Sequence, residues 1–258
     1  MSFAISIQSE VLKTKRSASF WLSIIGAALI PTIFFLAYFF EPEGAVKSLA
    51  PDPWRIHFMY GWQAMNAFLF PMYIILICTL IPQIEFKNNT WKQVFASPQS
   101  VAQIYFSKFI TIQMMIFFFY VLFNMLMILS GVLVNILNDQ YNFLSQPINW
   151  QTLMQLNLKT YISILGISAI QYCLSLRFKN FIAPVGIGLA LLVGAIIALN
   201  FQWEHIYKLP FAHPILTLMN MDKPNRPFLE NHELNSIGYF FFFLAVGFLD
   251  MKFKKEKG

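Results

Sequence analysis

Few side chains in this sequence could do chemistry, and their spacing narrows them further. The four histidines, His57, His205, His213 and His232, could bind zinc or move protons. None stands four residues from another, the spacing that puts two ligands on one helix face. They read as surface or interfacial groups. Cys78 and Cys173 are far apart, each inside an apolar run, which fits neither a disulfide framework nor a zinc site. They read as small core residues. A nucleotide needs a glycine-rich cradle for its phosphates, and no G-x-x-x-x-G-K-[ST] loop occurs. H-E-x-x-H, G-x-S-x-G and C-x-x-C are also missing. The expectation is a chain that is not an enzyme, with no catalytic residue, metal or cofactor of its own.

What remains is hydrogen bonding by uncharged amides. Asn66, Asn124 and Gln171 each interrupt a long apolar run. Such groups either bond across neighbouring helices, worth about 0.6 kcal/mol on average, or line a substrate path. Both readings stand. No Asp, Glu, Lys or Arg falls at the centre of a run, where ion- and proton-coupled carriers usually place one. Backbone carbonyls can hold sodium instead, so a carrier is disfavoured rather than excluded.

The runs themselves set the fold class. The 258 residues are 57% hydrophobic and 12% charged, with 29 Phe, whereas a soluble domain carries about 25% charged residues. Lipid must be the solvent for most of the chain. Residues 20–40 carry no charge and suffice to cross ~30 Å of hydrocarbon as a helix. The run is too long for a cleavable leader and is followed by Glu-Pro-Glu-Gly, so it reads as a retained span, with Pro31 marking a kink. Further spans fall at about 62–84, 109–134, 155–176, 180–201 and 235–252. The fourth is the weakest, with Lys159 snorkelling outward. The expectation is an all-α integral membrane protein of six transmembrane helices, residues 1–258 forming one transmembrane unit.

Twelve of the 18 Lys and Arg fall before span 1, in 85–108, between spans 4 and 5, and from Lys252 at the end of span 6 onward. By the positive-inside rule both termini and the 85–108 loop face the cytoplasm, and the 202–233 excursion faces out. No Lys/Arg cluster is interleaved with exposed aromatics, so a nucleic-acid partner is not expected. In residues 2–19, Phe3, Ile7 and Val11 form a stripe. This reads as an amphipathic helix on the inner leaflet or, the stripe being short, as a loose tail. The apolar stretch 209–219 is too short to cross; a re-entrant or interfacial helix and an ordinary loop fit it equally.

The inner loop 85–108, EFKNNTWKQVFASPQSVAQIYFSK, is richer than a connector needs. Trp91, Val94 and Phe95 lie at i, i+3, i+4 on one helix face. Pro98 ends that helix, and Ser100 with Gln103 makes a capping box that starts the next. An interfacial anchor and a docking surface for a soluble partner both fit.

The order of Glu85, a polar turn, Thr-Trp-Lys, a Ser-Pro break and the IYFSKF re-entry resembles permeases of the type-2 ABC exporter superfamily. More narrowly it is similar to small permease subunits linked to lantibiotic or bacitracin self-protection. The likeness runs along the whole chain and is strongest from Glu85 to Lys108. Many relatives carry a Gly after the Glu; here Asn88-Asn89 stands, and Asn tolerates left-handed geometry. The resemblance implies a separate ATPase subunit carrying ATP and Mg, and a second permease chain, identical or paralogous. It also implies the bacterial cytoplasmic membrane and export of an amphipathic substrate such as a peptide antibiotic, drug or lipid. It makes the loop a coupling helix on which Trp91, Val94 and Phe95 dock or pack, flanked by Lys87 and Lys92. Glu85 would pin the loop to the N-terminal helix through Lys13, Lys15 or Arg16. The residues alone would also suit a secondary carrier or channel, or a membrane-bound scaffold or enzyme.

Overall fold

The computed structural model describes residues 2–221 and 227–253. Among these, no strand occurs and six helices are long and apolar enough to cross a membrane. Residues 222–226 of the excursion, and Lys254, Lys255 and Lys257 of the charge balance, lie outside the described residues.

A short helix α1 (Phe3–Thr14) leads into the first span, α2 (Ala18–Phe40), which runs unbroken through Pro31. After α3 (Pro42–Leu49) the second span is one rod: α4 (Pro53–Ala64), a π-helical turn (Met65–Leu69) and α5 (Phe70–Lys87). Helix α6 (Trp91–Ala96) joins it to the third span, α7 (Val101–Leu137). The remaining spans are α8 (Trp150–Arg177), α9 (Ile182–Asn200) and α11 (Asn231–Phe253), with α10 (His213–Met219) between the last two.

Span 2 begins nine residues before the apolar run does. The Asp52 carboxylate accepts from the Arg55 amide at 3.0 Å and Pro53 fills the first turn, a combination that starts a helix regardless of hydropathy. The extra turns carry His57, which is not a surface group. It is fully buried, with Nδ1 3.1 Å from Tyr38 Oη and Nε2 3.0 Å from the Met127 carbonyl. His213 and His232 are buried as well, and of the four only His205 is exposed. An imidazole with both nitrogens engaged, as in His57, is tolerated inside, and sequence spacing does not report that.

Spans 2 and 3 are welded by an aromatic cluster. Tyr73 stacks on Phe119 at 4.3 Å between centroids and Trp62 meets Phe123 edge-on at 4.8 Å. Spans 4 and 6 pack where Gly166 lets α11 approach, its amide donating to Ser236 Oγ at 3.0 Å. Phe106 stacks on Phe248 at 5.7 Å, so the start of α7 and the end of α11 share the end of the bundle that carries α1 and α6.

One further expectation changes. Lys159 does not snorkel: it is 7% exposed and its Nζ lies 3.0 Å from Glu233, a partner 74 positions away that hydropathy cannot reveal. Residues 3–14 form a helix rather than a loose tail, with Ser6, Glu10 and Thr14 toward the protein and Phe3, Ile5 and Leu12 pointing away. Polar groups turn toward the protein and apolar ones outward, the inversion expected where the surroundings are lipid. In the excursion, α10 packs on α8, α11 and the π-turn at Met65–Leu69, well inside the end of span 2 that starts at Pro53.

Candidate functional site

The loop between spans 2 and 3 is built from three local devices. Asn89 takes φ 53°, a left-handed residue that turns the chain after α5, and the Thr90 amide donates to the Glu85 carbonyl at 3.0 Å. Helix α6 then runs for six residues and stops at Ser97, which is extended ahead of Pro98. Ser100 and Gln103 form the reciprocal capping box, with bonds of 3.2 and 2.9 Å, which satisfies amides that α7 would otherwise leave unpaired.

Helix α6 is clamped by its inner face. Trp91 is 9% exposed and packs between Phe86, at 5.2 Å, and Phe95, stacked at 5.5 Å. Val94 and Phe95 are half-buried, whereas Lys87, Lys92, Gln93 and Ala96 are exposed.

Behind Trp91 lies a closed ring of four charges. Lys13 Nζ is 2.6 Å from Glu10 Oε1 and 3.0 Å from Glu85 Oε1. Lys108 Nζ is 2.6 Å from the same Glu85 oxygen and 2.7 Å from Glu10 Oε2. Signs alternate around the ring, so its net charge is zero. Lys108 is fully buried, and its ammonium also lies 5.5 Å from the centre of the Trp91 ring, within cation–π range. One lysine on α7 therefore reads α1, α5 and α6 together. Burial disfavours the charged form of Lys13, but the Glu10 and Glu85 carboxylates outweigh it and hold its pKa above the ordinary lysine value.

Of the three basic partners offered to Glu85 by the sequence, the structure selects Lys13. Lys15 and Arg16 are exposed, and Arg16 takes φ 61° in the turn between α1 and α2. Glu10 and Lys108 were not foreseen. The signal was present: once Ser100 starts α7, Lys108 falls four residues after Ile104 and four before Ile112, on a face that is otherwise apolar.

A family model described as ABC-2 family transporter protein matches residues 6–195. The chain belongs to the ABC-2 transporter family. The matched stretch contains the charge ring, α6 and the first four spans. No curated protein and no solved structure matches the chain.

The permease does not bring its in-span amides to one place. Gln171 is buried at the meeting of spans 2, 4 and 5, with Nε2 donating to Thr79 Oγ1 at 3.2 Å and to the Pro184 carbonyl at 2.8 Å. Gly188 lies so close that a Cβ there would be 2.6 Å from Gln171 Oε1. That is a packing knot. Asn124 pairs with Asn157 across spans 3 and 4. Asn66 sits in the π-turn, fully buried, with neither polar atom bonded.

Proposed function

We propose that this permease is the membrane subunit of an ATP-driven exporter, and that α6 is the element on which a separate ABC ATPase docks. Membership of the ABC-2 family supports the coarse reading. The observation that carries the finer one is the division of α6 into two faces: Trp91, Val94 and Phe95 hold the helix to the spans, and Lys92, Gln93 and Ala96 are left outward. On this reading Trp91 and Phe95 are packing groups, and contact with the ATPase falls to Lys87, Lys92 and Gln93.

ATP and Mg then belong to the partner, and the permease contributes no catalytic group. Movement of α6 would reach Lys108 through the Trp91 ring, and from there Glu85 at the end of span 2 and Glu10 on α1. Two permease chains, the same or paralogous, would form the path. Both termini and α6 would face the cytoplasm of a bacterial cell, as the basic residues at this end support. The cargo would be amphipathic, in the class of peptide antibiotics, drugs or lipids.

The test is ATPase activity of the reconstituted complex. Lys92→Glu combined with Gln93→Ala should uncouple ATP hydrolysis from transport or release the ATPase while the permease still inserts. Full coupled activity in a stable complex would refute the docking assignment.

A further inference from the structure

Lys13, Lys15 and Arg16 stand together where α1 ends and α2 begins. The carboxylates of Glu10 and Glu85 are turned inward, onto Lys13 and Lys108. Lys15 and Arg16 are exposed, and neither side chain has a hydrogen-bond or ion-pair partner among the described residues. The corner between α1 and α2 therefore carries two positive charges that no described residue neutralises.

Solvated basic residues are ordinary on a protein surface. Two observations set this pair apart. Arg16 takes φ 61°, a left-handed backbone that is unfavourable for a residue with a Cβ. Gly or Asn would hold the turn with less strain, as Asn89 and Asn142 do at φ 53° and 57°. The fold keeps a guanidinium at a position its backbone disfavours, and strain of this kind points to a use for the side chain. The second observation is what flanks the pair. Ile5 and Leu12, seven residues apart on one face of α1, point away from the protein, and Trp21 and Ile25 are exposed on α2. In a chain that spans a membrane, lipid covers such groups, and Trp is favoured at headgroup level. The two free charges thus sit where lipid phosphates lie.

The chemistry limits the ligand. Arg16 offers a planar fork that matches two phosphate oxygens, and Lys15 adds a point charge. Both are donors only, so a headgroup carrying its own ammonium gains less here than one that is anionic throughout. A soluble phosphate would leave Leu12 and Trp21 uncovered. A phosphodiester with acyl chains meets both halves of the corner. Lys13 extends it inward. Its side chain is 34% exposed, whereas those of Glu10, Glu85 and Lys108 are 9% exposed or less. Lys13 is thus the member of the charge ring that opens to the outside. Glu85 Oε2 has no partner, so Glu85 has no cation but Lys108 to fall back on if Lys13 turns away.

We propose that the corner between α1 and α2 binds the headgroup of an anionic phospholipid, with Lys15 and Arg16 on the phosphodiester and Leu12 and Trp21 against the chains. The lipid phosphate competes with Glu10 and Glu85 for Lys13. Lipid charge thereby acts on the ring that joins α1 to spans 2 and 3. The proposal goes beyond the docking of an ATPase and does not depend on it.

Native mass spectrometry of the full chain in a neutral detergent tests it with no ATPase or cargo present. Dioleoyl phosphatidylglycerol should bind about tenfold more tightly than dioleoyl phosphatidylcholine, and excess inorganic phosphate should not displace it. Lys15→Gln combined with Arg16→Gly should bring the two lipids to within about twofold of each other. Without lipid, that variant should melt no lower than the parent, because Gly suits the turn. Arg16→Lys, which keeps the charge, should keep most of the preference. Glu10→Gln removes a competitor for Lys13 and should tighten phosphatidylglycerol severalfold. A preference for phosphatidylglycerol that survives Lys15→Gln with Arg16→Gly would overturn the site. Displacement by inorganic phosphate would overturn the lipid assignment, and a lower melting temperature of the lipid-free double variant would mark the pair as structural. Unchanged phosphatidylglycerol affinity in Glu10→Gln would overturn the competition for Lys13.

Discussion

The buried Lys108 ammonium lies 2.6 Å from Glu85 Oε1, which ties the last turn of span 2 to the first turns of span 3 across the loop that holds α6. Both residues also bind α1, Glu85 through Lys13 and Lys108 through Glu10. A push on α6 therefore cannot move one span alone.

Removing one charge from the ring should be worse than removing a pair. Lys108→Met leaves two buried carboxylates facing one lysine, and a loss of about 3–5 kcal/mol is expected for an uncompensated buried charge. Adding Glu10→Gln leaves the Lys13–Glu85 pair and should recover part of it. Thermal melting of the purified permease checks the order: parent, double variant, single variant.

The two faces of α6 should answer differently to substitution. Trp91→Ala removes the ring between Phe86 and Phe95 and the contact with Lys108. It should destabilise by about 3–5 kcal/mol, as large-to-small changes at packed aromatics do. Lys92→Glu should leave the melting temperature within a degree or so, yet lower ATPase stimulation in the complex. Melting and hydrolysis measured on the same preparations separate the two.

Local signals in this loop were legible because they need no tertiary context. Ser100 with Gln103, Pro98, and Asn at a left-handed turn each act within a few residues, and each stands where the sequence places it. Six spans were legible because apolar runs of that length have one use. Glu10, Lys108, Lys159 and His57 were not legible, since each is buried by a partner dozens of positions away. Which side of α1 meets the protein was not legible either, since Glu10 is buried by its contact with Lys108 on α7.

Acid should loosen the excursion. Burial, with the nearby His232, lowers the His213 pKa to about 3, against a smaller opposing effect of the Tyr207 carbonyl. A depressed value means the unfolded chain binds the proton more tightly. Stability from neutral His213 is complete above its ordinary pKa of 6.5 and is lost as pH falls from there toward 3. Protection of the α10 amides from hydrogen exchange, referred to the intrinsic rate at each pH, should fall between pH 6.5 and 4.5, and His213→Gln should flatten that dependence.

Gln171 should prove structural. A side chain at Gly188 would strike its Oε1 and Ile75, so Gly188→Val should cost about 1–3 kcal/mol through overpacking. Gln171→Leu should lower melting by breaking the bonds to Thr79 and Pro184.

The central claim is that the outward face of α6 meets an ABC ATPase. A photo-reactive benzophenone amino acid at Gln93, illuminated in intact cells that make the permease at native level, tests it most directly. The account predicts an adduct whose second component carries a Walker A motif and an ABC signature, and no such adduct from the buried position of Trp91. Adducts with lipid alone from position 93, under conditions where the permease is folded and inserted, would contradict it.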